Sequence, residues 1–387
     1  MPFKNDDRSV KKNAQTSNFI KPNPFVAKME AYRIAPQEIW QKKNKKHILK
    51  LDWNEATYLT SSLHRKIVQL LSEPEIVFWY PDVNCTMLTE ALADFLALTP
   101  PEILVFGGSD EALVAICTTY LQAGDRVCFV NPSYDNFRIY AERLGAVFTP
   151  VYFEDPFEFE VEAFIKKVHR LSSVPKLIYL VNPNNPIGYM IDIEDLGKIF
   201  EEFPASIVIV DEAYIEFSGN TCCPLIREYP NLVVVRTFSK AFGLAGLRIG
   251  YTVSDIRNHS HIGKVRNGKN ITMLAQQAAV LVLESIEHIN KHIREVCKAR
   301  DWFIKAMRGE GVVVYDSSAN FVLLKVPHPQ DVTLLLRREN IYARDRSWLK
   351  QLENSVRITI GNRKQMERVF CVFESMERNH WIFPSNV

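Results

Sequence analysis

The chain has 387 residues, 47% hydrophobic and 24% charged, an ordinary globular composition with length enough for two domains. Its net charge of +2 argues against a nucleic-acid partner held on a broad basic face, and no apolar run approaches the length of a membrane span. Seven cysteines without a C-x-x-C pair, and a polar N-terminus lacking the apolar core of a secretory signal, suit a soluble cytoplasmic protein with reduced thiols.

Residues 1–20 are too polar to bury much and are expected to form a disordered tail. An N-terminal arm over 21–50 follows, packing with the smaller domain, with a helix near 36–43. The basic run at 42–46 reads as a solvated helix end. From 51 to 263, short β-rich runs at 103–106, 127–130, 177–181, 206–210, 232–235 and 248–252 alternate with amphipathic stretches. That alternation predicts an α/β fold, a mostly parallel sheet covered by helices. The stretch 264–307 reads as mainly helix and opens a smaller α+β domain over 264–387. Strands at 311–315, 320–326 and 356–360 and helices at 331–339 and 365–378 complete it.

Chemistry gathers where the runs end. In open α/β sheets, ligands bind outside the carboxyl ends of the strands. The run at 103–106 ends in Gly107-Gly108-Ser109-Asp110-Glu111, that at 177–181 in Asn182-Pro183-Asn184-Asn185-Pro186-Ile187-Gly188, that at 206–210 in Asp211-Glu212-Ala213-Tyr214, and that at 232–235 in Ser239-Lys240. All four clusters should meet on one rim. Gly107 and Gly108 allow close backbone approach, and Ser109 and Asp110 open a helix whose first N–H groups are free for an anion. Lys240, just past a buried strand, can be held as the neutral amine that Schiff-base chemistry needs. Arg248, eight residues on, would return on the next strand as a fixed positive charge. Asp211 at the mouth of a buried strand needs a positive partner, which a protonated pyridine nitrogen would be. An aldehyde for the lysine, a ring nitrogen for the aspartate and a phosphate for the helix start together describe pyridoxal phosphate.

The segments 182–188, 211–217 and 236–251 resemble the fold-type-I aminotransferases, and within them the histidinol-phosphate aminotransferase family, over residues 32–368. The resemblance implies that Lys240 is the covalent anchor of the cofactor, Asp211 pairs with its pyridinium nitrogen, and Asn185 and Tyr214 bond its phenolic oxygen. Tyr134 would stack on the ring. The Gly108 turn, the Ser109 and Asp110 N–H groups, the Ser239 hydroxyl and Arg248 would hold the phosphate. Tyr80 would reach the phosphate of a neighbouring subunit, so the active site would need a homodimer. On the substrate side the resemblance assigns Arg357 to a carboxylate and Arg344 to a substrate phosphate, with Tyr32 and Asn54 as N-terminal contacts.

Two positions depart from the family. Lys269 stands where a tyrosine is expected near the substrate, and Trp53 where smaller residues are commoner. Both fall on the substrate side, so the cofactor chemistry is expected to be kept while the amino donor or acceptor differs. The reaction expected is transamination between a small phosphorylated or anionic amine, like histidinol phosphate, and a 2-oxo acid such as 2-oxoglutarate, within amino-acid or amine biosynthesis. Lys240 would then carry the Cα proton. The alternatives are a decarboxylase of a phosphorylated amino acid and a non-catalytic sensor of an anionic metabolite. Other signals fail. Gly243-Leu244-Ala245-Gly246 lacks dinucleotide-loop spacing, residues 107–111 lack the closing glycine of a nucleophile elbow, and His288 and His292 read as helix surface rather than a metal site.

Overall fold

The computed structural model describes residues 20–34 and 37–376. The expected tail, apart from Ile20, and the segment beyond His380 lie outside the described residues. In the arm, Pro24–Lys28 forms a short helix with proline in its first turn and the Asn23 side chain accepting from the Phe25 N–H at 2.9 Å. The helix expected near 36–43 is only a 3-10 turn at Glu38–Gln41. It buries Ile39 alone, too little apolar contact to offset the cost of nucleating a longer helix.

Among the described residues seven strands form the main sheet: β1 (Ile103–Phe106), β2 (Arg126–Val130), β3 (Val147–Val151), β4 (Leu177–Val181), β5 (Ile207–Asp211), β6 (Leu232–Thr237) and β7 (Gly250–Ser254). Their spatial order is β1-β7-β6-β5-β4-β2-β3. All pairs are parallel except the two made by β7. β4 and β6 are buried at every position, which their continuous apolar runs require of strands covered on both faces. Each buried valine or leucine there contributes about 1.5–3 kcal/mol.

β3 was not expected, because Pro150 and an exposed Val147 break the apolar run; it is an edge strand, where a missing N–H is tolerated. The run expected at 248–252 starts only at Gly250, because Arg248 is left-handed (φ 54°). At Gly250 a Cβ would lie 2.6 Å from the Gly108 carbonyl carbon, so the close approach of two backbones fixes where the strand begins.

A second sheet holds β8 (Val313–Val314), β9 (Phe321–Lys325), β10 (Arg344–Asp345) and β11 (Ser355–Thr359) in antiparallel order β10-β11-β9-β8. The stretch 264–307 is mainly helix, as expected: after a 3-10 turn at Gly268–Asn270 come Met273–Glu284 and Ile286–Gly309, with a break at Ser285. Leu49–Lys50 of the arm pairs in parallel with Ile341–Tyr342. Among the described residues no helix is long and apolar enough to cross a membrane.

Candidate active site

The strand pairings fix the rim. β1, β4, β5 and β6 run the same way, so their carboxyl ends share one edge of the sheet. β7 runs oppositely between β1 and β6 and brings its amino end, with Arg248 just before it, to that same edge. Residues scattered over 140 positions of chain thus converge because of strand direction alone.

Lys240 follows β6. Its Nζ donates to the Trp53 carbonyl at 2.8 Å and lies 5.7 Å from the centre of the Tyr214 ring. Burial, and next the positive charge of Arg357, pull its ammonium down from 10.5 to about 8. Asp211 ends β5, nearly wholly buried, accepting from the Tyr179 hydroxyl at 2.7 Å and the Ala213 N–H at 3.1 Å. Burial raises its carboxyl to about 6 against both bonds, and among the described residues no cationic side chain pairs with it. The Tyr214 hydroxyl accepts from Asn185 Nδ2 at 3.0 Å and Asn54 Nδ2 at 3.1 Å. Burial lifts its pKa, with the Arg357 charge opposing. The Tyr134 hydroxyl donates to Asp110 at 2.8 Å.

Helix α1 (Ser109–Tyr120) starts at the rim with Gly108 as its N-cap, so among the described residues no side chain caps its first N–H groups. The Asp110 carboxylate turns to Tyr134 and to Arg248 Nη2 (3.4 Å), and Arg248 Nη1 reaches Ser239 Oγ at 3.3 Å. Arg248 therefore stands over the helix start, placed there by its left-handed turn and not by a strand as expected. Gly108 sits at φ +100°, and a Cβ on it would lie 2.6 Å from Arg248 Nη2. Gly108→Ala is expected to weaken cofactor affinity about 5- to 150-fold, the equivalent of ~1–3 kcal/mol of backbone strain. Loss of cofactor absorbance on dialysis, compared with the parent protein, measures it.

The remaining predicted residues divide. Arg357 on β11 donates to Asn185 Oδ1 and to the Asp52 carbonyl, both at 2.6 Å, which joins it to the Tyr214 cluster. Arg344 faces Arg357 across the β10–β11 pair and donates to the Arg33 carbonyl at 2.7 Å. Asn54, left-handed at φ 58°, is buried; its N–H donates to Thr359 Oγ1. Tyr32 lies within electrostatic reach of Tyr134 and Arg357. Tyr80 and Lys269 do not join this cluster. Tyr80 is 83% exposed, and the Lys269 ammonium sits 5.4 Å from its ring centre. Tyr179, Asp52 and Arg346 also border the site, although no motif at a strand end marks them in the sequence. The arginines at 344 and 346 alternate on a strand that pairs with β11, a period-2 signal that would have placed both on one face.

These residues fit one cofactor. A lysine biased toward its neutral form, a buried acid lacking a cation and a glycine-lined helix start under an arginine suit pyridoxal phosphate. On this sheet order they define a fold-type-I pyridoxal-phosphate enzyme. The aminotransferase class I and II family matches residues 46–372, and the chain belongs to it. It is 34% identical over 355 residues to a dihydroxyacetone phosphate transaminase of Campylobacter jejuni, covering 90% of this chain and 95% of the relative. It is 37% identical over 314 residues to a histidinol-phosphate aminotransferase of Thermoanaerobacter pseudethanolicus, covering 81% and 88%. A crystal structure of histidinol-phosphate aminotransferase from Sinorhizobium meliloti with pyridoxal-5'-phosphate shares the fold, with TM-score 0.83, 23% identity and coverage of 94% and 100%. The chain is a pyridoxal-phosphate-dependent aminotransferase.

Proposed function

We propose that the enzyme transfers an amino group between a small phosphorylated amine, or its carbonyl partner, and a 2-oxo acid such as 2-oxoglutarate. One observation carries the substrate class: buried guanidiniums of Arg344 and Arg357 stand opposite each other beside the Tyr214 cluster, and among the described residues no carboxylate pairs with either. Relatives named for dihydroxyacetone phosphate and histidinol-phosphate substrates support a phosphorylated ligand.

Pyridoxal phosphate, when bound, supplies the aldehyde that captures the amine and the ring that accepts the electron pair released at Cα. The chain does the rest. Lys240 anchors the cofactor and, once displaced, its Nζ holds and moves the Cα proton, a task suited to a base near pH 8. Asp211 holds the ring nitrogen's proton, and Asn185 and Tyr214 orient the phenolic oxygen. Tyr134 covers the ring. Ser109 and Asp110 N–H groups, Ser239 and Arg248 bind the cofactor phosphate. Arg357 takes the substrate carboxylate as a two-point fork, and Arg344, Tyr32 and Asn54 line the substrate side.

We read the protein as a cytoplasmic homodimer with the arm (21–50), a large cofactor-binding domain (51–263) and a small domain (264–387). The strand shared by Leu49–Lys50 and Ile341–Tyr342 supports the arm's attachment to the small domain. The exposed Tyr80 with Lys269 against its ring supports a role across the subunit boundary. With Trp53, whose carbonyl accepts from Lys240, on the substrate side, and Lys269 beside Tyr80 at the proposed subunit boundary where the family has a tyrosine, the preferred amine is not histidinol phosphate itself. Half-reaction spectroscopy, adding one amine at a time, tests this. We expect phosphorylated amines to react at least ~100-fold more efficiently than their dephosphorylated forms. Ordinary turnover of histidinol phosphate would refute the altered preference, and carbon dioxide release without a 2-oxo acid would point to decarboxylation.

A further inference from the structure

Arg346 has no task in the scheme above, yet it is only 7% exposed. Its main-chain N–H bonds the Ser355 carbonyl at 2.9 Å, extending the β10–β11 ladder by one step. Its side chain therefore falls on the same face as Arg344, two residues earlier and directly opposite Arg357. Arg344 is 8% and Arg357 3% exposed. Three guanidiniums are thus buried side by side.

Their partners are all neutral. Arg357 donates to an amide oxygen and a main-chain carbonyl, and Arg344 to the Arg33 carbonyl. Among the described residues, neither Arg346 Nε nor Arg357 Nε, both buried, has a hydrogen-bond partner. Among the described residues no carboxylate lies within ion-pair reach of the three. Asp52 acts on Arg357 only from further off, its carboxylate being paired with Lys50 at 2.9 Å. Asp345, on the intervening position, turns its carboxylate to the Ser347 N–H. Uncompensated buried charge is costly, and a fold keeps it only where something else supplies the counter-charge.

The charge faces the site. Arg346 acts electrostatically on Tyr214, whose hydroxyl sits between Asn54 and Asn185, and Tyr32 of the arm acts on it in turn. Burial and the neighbouring Arg357 and Arg344 charges pull its pKa down to about 9, as expected of a cation awaiting an anion.

We infer that Arg346 is a specificity-determining residue: with Arg344 it forms a two-arginine clamp for a dianionic phosphate on the substrate, while Arg357 takes a monoanionic carboxylate. The inference rests on the phosphorylated-substrate reading above. Two planar forks bind a tetrahedral dianion from two sides, whereas a carboxylate engages one fork only.

The test uses holoenzyme saturated with pyridoxal phosphate, so that the cofactor's own phosphate site is filled. Inorganic phosphate and, separately, propionate are titrated calorimetrically at pH 8 into the parent protein, Arg346→Gln and Arg346→Lys. We expect Arg346→Gln to weaken phosphate binding at least ~10-fold and propionate binding less than ~2-fold. Arg346→Lys, which keeps the charge but loses the fork, should restore part of the phosphate affinity. The melting temperature of Arg346→Gln should be no lower than the parent's, because it removes an unpaired buried charge. Unchanged phosphate binding in the variants overturns the clamp, and so do phosphate and propionate losses of equal size, which would make Arg346 a support for Arg357. If Arg346→Gln does not fold, Arg346→Lys decides: full parental phosphate affinity overturns the clamp, and a several-fold loss supports it. A parent protein with no preference for phosphate over propionate defeats the phosphorylated-substrate reading itself, and this inference with it.

Discussion

Lys240→Ala is expected to lower transamination turnover by ~10⁴-fold or more, because on the proposed reading one side chain would both anchor the cofactor and carry the Cα proton. Fold and anion binding should survive. Among the described residues the Lys240 ammonium makes a single hydrogen bond, to the Trp53 carbonyl, so its loss leaves one main-chain acceptor to water. Borohydride reduction followed by digestion should find a pyridoxyl label on Lys240 in the parent protein and none in the variant. A label elsewhere would sink the assignment. The depressed amine adds a pH dependence. With its pKa near 8, about one amine in ten is neutral at pH 7, against about one in three thousand for an ordinary lysine. The neutral amine is the nucleophile, so cofactor uptake by apoenzyme should rise with pH through about 8 and level off above it. Stopped-flow absorbance at several pH values reads this directly.

How much of the site can be read in the sequence depends on how local its geometry is. Lys240, Asp211 and Asn185 lie on or just after buried strands of a parallel sheet, and strand direction alone places them on one rim. Apolar runs and the residues that end them therefore suffice. Arg248 shows the limit. Its residue type and spacing mark it, but not the left-handed turn that sets it over α1, because that turn follows from Gly250 packing against the Gly108 backbone across the sheet. Arg346 was harder still. A buried unpaired cation is visible only when its neighbours from β11 and the arm are in place. β3 escaped notice because an edge strand has no need of the uninterrupted apolar run that marked β4, β5 and β6. The break at Ser285 likewise leaves no proline or glycine in the sequence.

Asp211→Asn carries the second large effect. On the proposed reading the Asp211 carboxylate of the cofactor-bound enzyme would hold the proton of a pyridinium nitrogen inside the protein, which an amide could not do. Losing one partner of a buried, hydrogen-bonded charge pair costs about 2–5 kcal/mol, so kcat should fall roughly 30- to 5,000-fold. Without cofactor the balance reverses. Burial has raised the Asp211 carboxyl to about 6, above the ordinary 3.8, so folding favours its protonated form. That group's contribution to stability is fully present below pH 4 and is lost as pH rises through about 6. The amide stays neutral at every pH and escapes this loss. Asn Oδ1 can keep the Ala213 bond while its amide N–H donates to the Tyr179 hydroxyl oxygen, so the packing tolerates the change. Cofactor-free Asp211→Asn should therefore gain melting temperature relative to the parent as pH rises from 4 to 7, whereas the same substitution cripples the loaded enzyme. A stability difference that stays flat over that range would mean the acid is already ionised in the empty site, and that its counter-charge comes from the protein rather than from the ring.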